Sequence, residues 1–388
     1  MIAFDNTEMA FRHKSNSDLK KARFLFRTLA SKPMVEIGKR LTQLAFFLHI
    51  PIKPLIKATL FKQFVGGESI DSCRKTSETL AKYGVGTILD YSVEGKEDAD
   101  SFDATMREII DTLEQARVHD YIPFAVFKPS GLCESAVLMK LQKGETLNVN
   151  EEKAWANACA RMEKICETAH RYGCRILIDA EETWIQDPID RMVEQLMQKF
   201  NRENTIVYNT LQMYRHDRIA YLEKITAHAR QNGYKVGLKI VRGAYMEKER
   251  EYAAEMGLPD PIQPNKEACD RDYDASLKFC VENIDIVSLC AGTHNEKSSA
   301  FLVDLMEKNG IKKDDTRIYF AQLLGMSDHI SFNLANAGYN VVKYVPYGPV
   351  RELMPYLFRR AEENTSVKGQ TGRELTLIQK ELKRRGKL

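Results

Sequence analysis

Residues 236–245 read Val-Gly-Leu-Lys-Ile-Val-Arg-Gly-Ala-Tyr. A short β-branched run, Val236–Val241, closes on a charged, glycine-containing turn and gives way to a longer stretch with helical periodicity. The same phrase recurs along the chain. Candidate strands are Val85–Tyr91, Ile122–Lys128, Arg175–Asp179, Thr205–Asn209, Val236–Val241, Asp285–Cys290, Thr316–Phe320 and Asn340–Tyr344. Between them lie helical patterns such as Asn150–Tyr172 and Arg218–Asn232, long enough to be crossovers between parallel strands. Eight such units predict an α/β chain folded as a (β/α)8 TIM-like barrel rather than an open sheet. Residues 1–84 read as an N-terminal helical arm broken at Gly66-Gly67, residues 85–366 as the catalytic barrel, and residues 367–388 as a basic C-terminal helix.

Composition narrows the function class. At 388 residues, with 44% hydrophobic and 29% charged, the chain has the apolar content of a large globular core. A net charge of +3, from 57 basic and 54 acidic residues, gives no broad basic face for nucleic acid. The eight cysteines stand at no C-x-x-C spacing and read as reduced and structural. The N-terminus shows neither a transit nor a signal pattern, which predicts a cytoplasmic protein. The apolar stretch Leu41–Phe64 is broken by Pro51, Pro54, Lys53, Lys57 and Lys62, so it is not expected to cross a membrane. There is no G-x-G-x-x-G, since Leu89 stands where the third glycine would follow Gly84 and Gly86, and a Rossmann dinucleotide site is not expected.

In barrels of this kind chemistry gathers at the C-terminal ends of the strands. Here those ends carry Lys128, Asp179-Ala180-Glu181-Glu182, Gln212, Lys239 through Tyr245, Thr293-His294-Asn295, Gln322-Leu323-Leu324-Gly325, and Tyr344-Val345-Pro346-Tyr347-Gly348. One polar residue at a strand end is ordinarily a turn or a cap. Seven in register point to a site. After the last strand, Arg359 and Arg360 both stand within one helical turn of Glu363, a spacing that suits either a surface ion pair or a fixed guanidinium pair able to fork a carboxylate. A regular barrel helix would carry these arginines roughly 14 Å below the mouth at 1.5 Å per residue, so a role in the site requires that the helix lie across the barrel top.

These blocks together resemble the proline dehydrogenase family. They are Phe127-Lys128, Ile178 to Glu182, Lys239 to Tyr245, Thr293-His294-Asn295, Tyr319 to Met326, and above all Tyr344 to Gly348 with Arg359-Arg360-Ala361-Glu362-Glu363-Asn364. The likeness is to the monofunctional, mitochondrial-type branch, with no aldehyde-dehydrogenase module following. It implies a final helix over the barrel mouth and FAD on the barrel face. The implied reaction is oxidation of L-proline to 1-pyrroline-5-carboxylate, with electrons passed to a membrane quinone and peripheral attachment to the inner face of the cytoplasmic membrane. Carried over by position, Arg359 and Arg360 would clamp the substrate carboxylate with Glu363 orienting them, and Lys128 and Asp179 would be the substrate-side polar pair. Ala244, Leu324 and Tyr344 would wall the pyrrolidine ring. Gln212, Lys239, Arg242, Thr293, His294, Asn295 and Gln322 fall at flavin-contacting positions, Lys239 being a departure because other branches carry arginine there. The hydroxyproline-oxidising branch carries serine where this chain has Tyr344, so tyrosine here points to proline.

Three other readings compete for the same residues. A Schiff-base lyase would use Lys128 or Lys239 as an amine nucleophile. A metal hydrolase built from Asp179, Glu181, Glu182 and His294 lacks an H-x-H pair, and no metal site is expected. A non-catalytic membrane scaffold using Leu41–Phe64 leaves the strand-end residues unexplained.

Overall fold

A computed structural model describes residues 2–92, 98–366 and 370–387. Its strands are β1 (Val85–Tyr91), β2 (Phe124–Phe127), β3 (Arg175–Ile178), β4 (Val207–Gln212), β5 (Val236–Val241), β6 (Val287–Gly292), β7 (Ile318–Leu323) and β8 (Val341–Tyr347). They close in chain order into one parallel barrel. The expected (β/α)8 architecture is the observed one. β4, β6, β7 and β8 run two or three residues further toward their C-terminal ends than the apolar runs suggested. There the side chains turn polar or, at Pro346, lack an N–H, yet the backbone stays extended because parallel neighbours supply its partners. Gln212 pairs in register with Val241, and Gly292 with Ala321.

The chain divides into two compact units, Gly95–Ala321 and Met1–Glu94 with Gln322–Leu388. In the first, the amino-terminal ends of the strands are plugged. Phe124 meets Tyr208 and Tyr319 edge to face, at 5.3 and 4.9 Å between centroids, and the Arg175 guanidinium stands over Phe124 and Tyr319. Packing of this kind at the strand starts leaves the opposite ends for chemistry. The crossover helices carry their own stop signals. The helix Val149–Tyr172 begins in a capping box between Asn148 and Glu151 and ends on Gly173, whose φ of 66° only glycine adopts without strain.

The second unit holds the arm, both ends of the barrel strands in sequence, and the helices after them. Three arm helices, α1 (Thr7–Phe11), α2 (Asn16–Leu29) and α3 (Lys32–Phe47), precede short turns and a helix over Ile70–Ala81. The expected break at Gly66-Gly67 is real. Gly66 N donates to Pro346 O at 2.9 Å and Gly67 bridges Tyr347, so the arm pairs with the C-terminal end of β8. A Cβ on Gly66 would stand 2.3 Å from Val345 Cγ1 and 2.8 Å from Cys73 Sγ, so any other residue would force those side chains to move. The helix Met354–Ser366 packs on α2 and α3 through Met354, Tyr356, Leu357 and Ala361, in one core with Phe26, Phe64 and Leu382. Tyr356, buried on this helix, lies close enough to Asp90 at the end of β1 to feel its charge. The helix therefore sits at the C-terminal ends of β1 and β8 rather than down the barrel wall, which removes the distance objection to Arg359 and Arg360. Of the tail, Val367–Gly369 and Leu388 lie outside the described residues, and Gln370–Arg384 is helical.

Behind β8 the same unit contains a buried ionic cluster. The Lys343 ammonium, fully buried, is 2.9 Å from Asp328 and donates to Met326 O at 2.5 Å, while Lys14 reaches Asp328 at 2.9 Å. Burial pushes the Asp328 carboxyl up, but Lys14 and Lys343 outweigh it and hold it well below the usual range. The cluster ties the start of the arm to the strand that bears Tyr344.

Candidate functional site

The strand ends of the Gly95–Ala321 unit carry several groups of paired polar side chains. At the end of β3, Asp179 Oδ1 pairs with Lys239 Nζ of β5 at 2.5 Å, with side-chain exposures of 15% and 7%. Two residues on, Glu181 is buried and accepts from the Ser130 backbone at 2.6 Å and its hydroxyl at 2.5 Å. Burial pushes the Glu181 carboxyl up to about 7, against those two hydrogen bonds and the nearby Lys128 charge. Lys128 itself is half-buried after β2. Gln212, closing β4, donates to Glu181 O at 2.7 Å and accepts from Ala244 N at 3.4 Å. Its amide thus ties three strand ends together.

Arg242, after β5, is the most constrained of these groups. Its Nε donates to Asp270 at 2.7 Å, one Nη to the Thr293 hydroxyl at 2.7 Å and the other to Ser298 at 2.9 Å. The guanidinium carbon stands 4.2 Å from the centre of the Tyr273 ring. Gly243 follows at φ 132°, and a Cβ there would run into the Tyr214 ring at 2.5 Å, so the turn that presents Arg242 requires glycine. Asp270 and Ser298 were not legible as site residues in the sequence. They lie in helices 28 and 56 residues beyond Arg242, and no local spacing links them to it. Asn295 behaves as a cap, accepting from Lys297 N at 2.9 Å and Ser298 N at 3.3 Å at the start of the helix Glu296–Lys308. His294, beside it, is half-buried.

The other unit carries the remaining expected residues. Gln322, buried at the end of β7, accepts from the Ser331 hydroxyl at 2.8 Å, which fixes the direction of its amide. Leu324 N donates to Tyr344 O at 2.8 Å, so the loop bearing Leu324 is stitched to β8 beside Tyr344, whose side chain is 7% exposed. The next residue, Gly325, has φ 76°, and Gln63 of the arm donates to its carbonyl at 2.7 Å. On the helix Met354–Ser366 the two arginines differ. Arg360 is buried, donates to Glu363 and lies over Tyr356, while Arg359 is half-buried and lines a groove of about 820 Å³ with Phe46, Phe47, His49 and Phe358. Burial raises the Glu363 carboxyl, opposed by Arg360 and then Arg359, although a third of the side chain is still open to solvent.

All eight cysteines are free thiols, seven of them buried, and burial pushes Cys290 behind Lys239 up to about 12, far from a reactive thiolate. Among the described residues no group of three or more His, Cys, Asp or Glu is placed to hold a metal ion, and no helix is long and apolar enough to cross a membrane.

The profile of the family described as Proline dehydrogenase matches residues 73–373. The chain is 34% identical over 322 residues to the carbapenem antibiotics biosynthesis protein CarD of Pectobacterium carotovorum subsp. carotovorum, covering 83% of each chain. It is 36% identical over 313 residues to the mitochondrial proline dehydrogenase 1 of Homo sapiens, covering 80% of this chain but 48% of the human one, so it spans about half of that relative. It is 30% identical over 417 residues to the hydroxyproline dehydrogenase of Xenopus laevis, covering 97% of this chain and 88% of that protein. The solved structure of proline utilization A from Bdellovibrio bacteriovorus superposes with a TM-score of 0.74 at 20% identity, over 95% of this chain and 40% of that one, a likeness of fold. With most of its length matched by the family profile, the chain belongs to the proline dehydrogenase family.

Proposed function

We propose that this chain oxidises L-proline to 1-pyrroline-5-carboxylate with FAD as its cofactor and passes the two electrons to a membrane quinone. The reaction removes a hydride from the ring carbon beside nitrogen and a proton from nitrogen, and forms the C=N bond. FAD supplies the two-electron acceptor when bound. The observation that carries the reading is the Arg242 network. A guanidinium held by Asp270, Thr293 and Ser298 at a strand end is a fixed cation for a phosphate or an electron-rich ring edge. The donor chemistry of the oriented amides Gln212 and Gln322 and of Lys239 also fits a flavin. His294 and Asn295 complete that proposed set, with Asn295 acting from a helix start.

In this reading residues 85–366 form the catalytic barrel, the arm and tail flank it, and Arg359 and Arg360 grip the substrate carboxylate. Glu363 orients Arg360, because an ion-paired guanidinium is pre-set for a planar fork. Lys128 and Asp179 hold the polar side of the substrate, and Ala244, Leu324 and Tyr344 its apolar ring, excluding water from the carbon that loses hydride. Lys239 counts against the lyase alternative. Its Nζ is held against the Asp179 carboxylate at 2.5 Å rather than presented to a substrate carbonyl. The test is an anaerobic absorption spectrum of the purified protein. A yellow protein whose flavin band bleaches on adding L-proline supports the proposal, and a colourless protein, or a band indifferent to proline, overturns it.

A further inference from the structure

Nine of the fourteen large apolar side chains that the described residues leave exposed fall between Phe24 and Leu55. Five of them, Met34, Ile37, Leu41, Leu44 and Leu48, recur at spacings of three and four along α3 and its last turn, so they share one face of the helix. The opposite face, through Val35 and the partly buried Phe46, packs into the core shared with α2 and the helix Met354–Ser366. Phe47, 78% exposed, and Ile50 and Leu55 continue the apolar surface beyond the helix. Charge is equally uneven. Residues 20–62 contain ten Lys and Arg and one acidic residue, Glu36, a net of +9 within a chain of +3, so the remainder of the protein is net acidic. Lys32, Arg40 and Lys53 are exposed in the same stretch, while Lys39, Lys57 and Lys62 are ion-paired with Glu362, Glu68 and Asp18.

We propose that this face of α3, with Phe24 and Leu55 beside it, docks on a bilayer surface that carries anionic lipid. An apolar face rimmed by cations lies in the boundary between headgroups and acyl chains, its side chains reaching about 5–10 Å inward. Sixteen residues rise about 24 Å, short of the ~30 Å hydrocarbon core, so the helix lies on the membrane rather than through it. A second copy of the chain is a poorer occupant. The spacing of three and four would suit a paired helix, but two such faces bring their exposed cations, Arg40 and Lys53 among them, together. Anionic headgroups complement the same charges. This deepens the membrane part of the functional reading and rests on that reading only for why the enzyme should meet a bilayer.

The experiment is co-sedimentation of the flavin-loaded protein with vesicles of phosphatidylcholine alone or of equal parts phosphatidylcholine and phosphatidylglycerol. It is run on the parent and on the double variant Leu41→Glu, Leu44→Glu. The parent should pellet with the anionic vesicles, and its binding should fall at least about tenfold in the double variant, on neutral vesicles, and in about 0.5 M salt, where screening is short-ranged. Dye-coupled oxidation of L-proline and the melting temperature should not change, which separates docking from catalysis. Leu44→Trp gives a second readout that does not depend on the double variant folding, since brominated acyl chains should quench its blue-shifted emission. Three results overturn the proposal: a parent that stays in the supernatant, a double variant that pellets like the parent, or no quenching at position 44. A parent that is a dimer in solution, split by the double variant and indifferent to vesicles, assigns the face to a second copy instead.

Discussion

Replacing Lys239 by Met should destabilise the protein, because it breaks the ion pair with Asp179. Lys239 and Asp179 are 2.5 Å apart, with 7% and 15% of their side chains exposed, so Lys239 is buried and little of Asp179 is open to water. Removing the cation while keeping the carboxylate costs about 3–5 kcal/mol, because the remaining charge loses its compensation where water cannot replace it. Unfolding entropy near 2.1 cal/mol/K per residue, taken over 388 residues, is about 0.8 kcal/mol/K, so the midpoint should fall by roughly 4–6 °C. Methionine retains most of the lysine stem, which keeps the cavity contribution small. The companion Asp179→Leu on the same background should recover most of the loss, since a buried ion pair and a well-packed apolar pair are often near equal in stability. Differential scanning calorimetry of the parent, both single variants and the double variant completes the cycle, run with and without added FAD so that cofactor binding is not mistaken for pairing. A single variant within about 0.5 kcal/mol of the parent, or a double variant whose loss is the sum of the singles, would refute the buried-pair account.

Arg360→Met should raise the KM for L-proline about 10- to 150-fold with little change in kcat, the kinetic expression of losing a charge-assisted fork worth about 1.5–3 kcal/mol. The half-buried Arg359→Met should do less, and steady-state kinetics showing no KM change in either variant would make the pair a surface feature. Tyr344→Ser should lower the ratio of kcat/KM for L-proline over trans-4-hydroxy-L-proline from a parent preference of roughly tenfold, because serine makes room for, and can pair with, a ring hydroxyl. A ratio that does not move removes Tyr344 from the specificity wall. Burial pushes Glu181 up to about 7 in the folded protein, above its unfolded value, so the neutral form favours folding. Stability from this group is therefore fullest below about pH 4.5 and falls by roughly 3 kcal/mol as pH rises to 7. Urea midpoints across that range should slope less in Glu181→Gln, and equal slopes would mean that folding does not raise this carboxyl's pKa.

The sequence by itself determined the barrel. Eight apolar runs alternating with helical stretches admit few parallel architectures, and each run fell on an observed strand. Its reading stopped short at the carboxyl ends of β4, β6, β7 and β8, since polar residues such as Gln212 and Gln322 look like loop when ladder partners 20 or more residues away are unseen. The same limit governed the site. The strand-end residues were legible one by one, because a parallel barrel sends every strand end to the same rim. Their pairing was not. That Asp179 takes Lys239, that Arg242 is gripped by Asp270 and Ser298, and that Lys343 on the back of the Tyr344 strand holds Asp328 are consequences of helices returning across long stretches of chain. Tertiary structure alone decided which way the helix bearing Arg359 and Arg360 runs. Its apolar face has a partner in α2 and α3, an arm whose own sequence shows a buried stripe but not what covers it, and burying that stripe turns the helix toward the ends of β1 and β8.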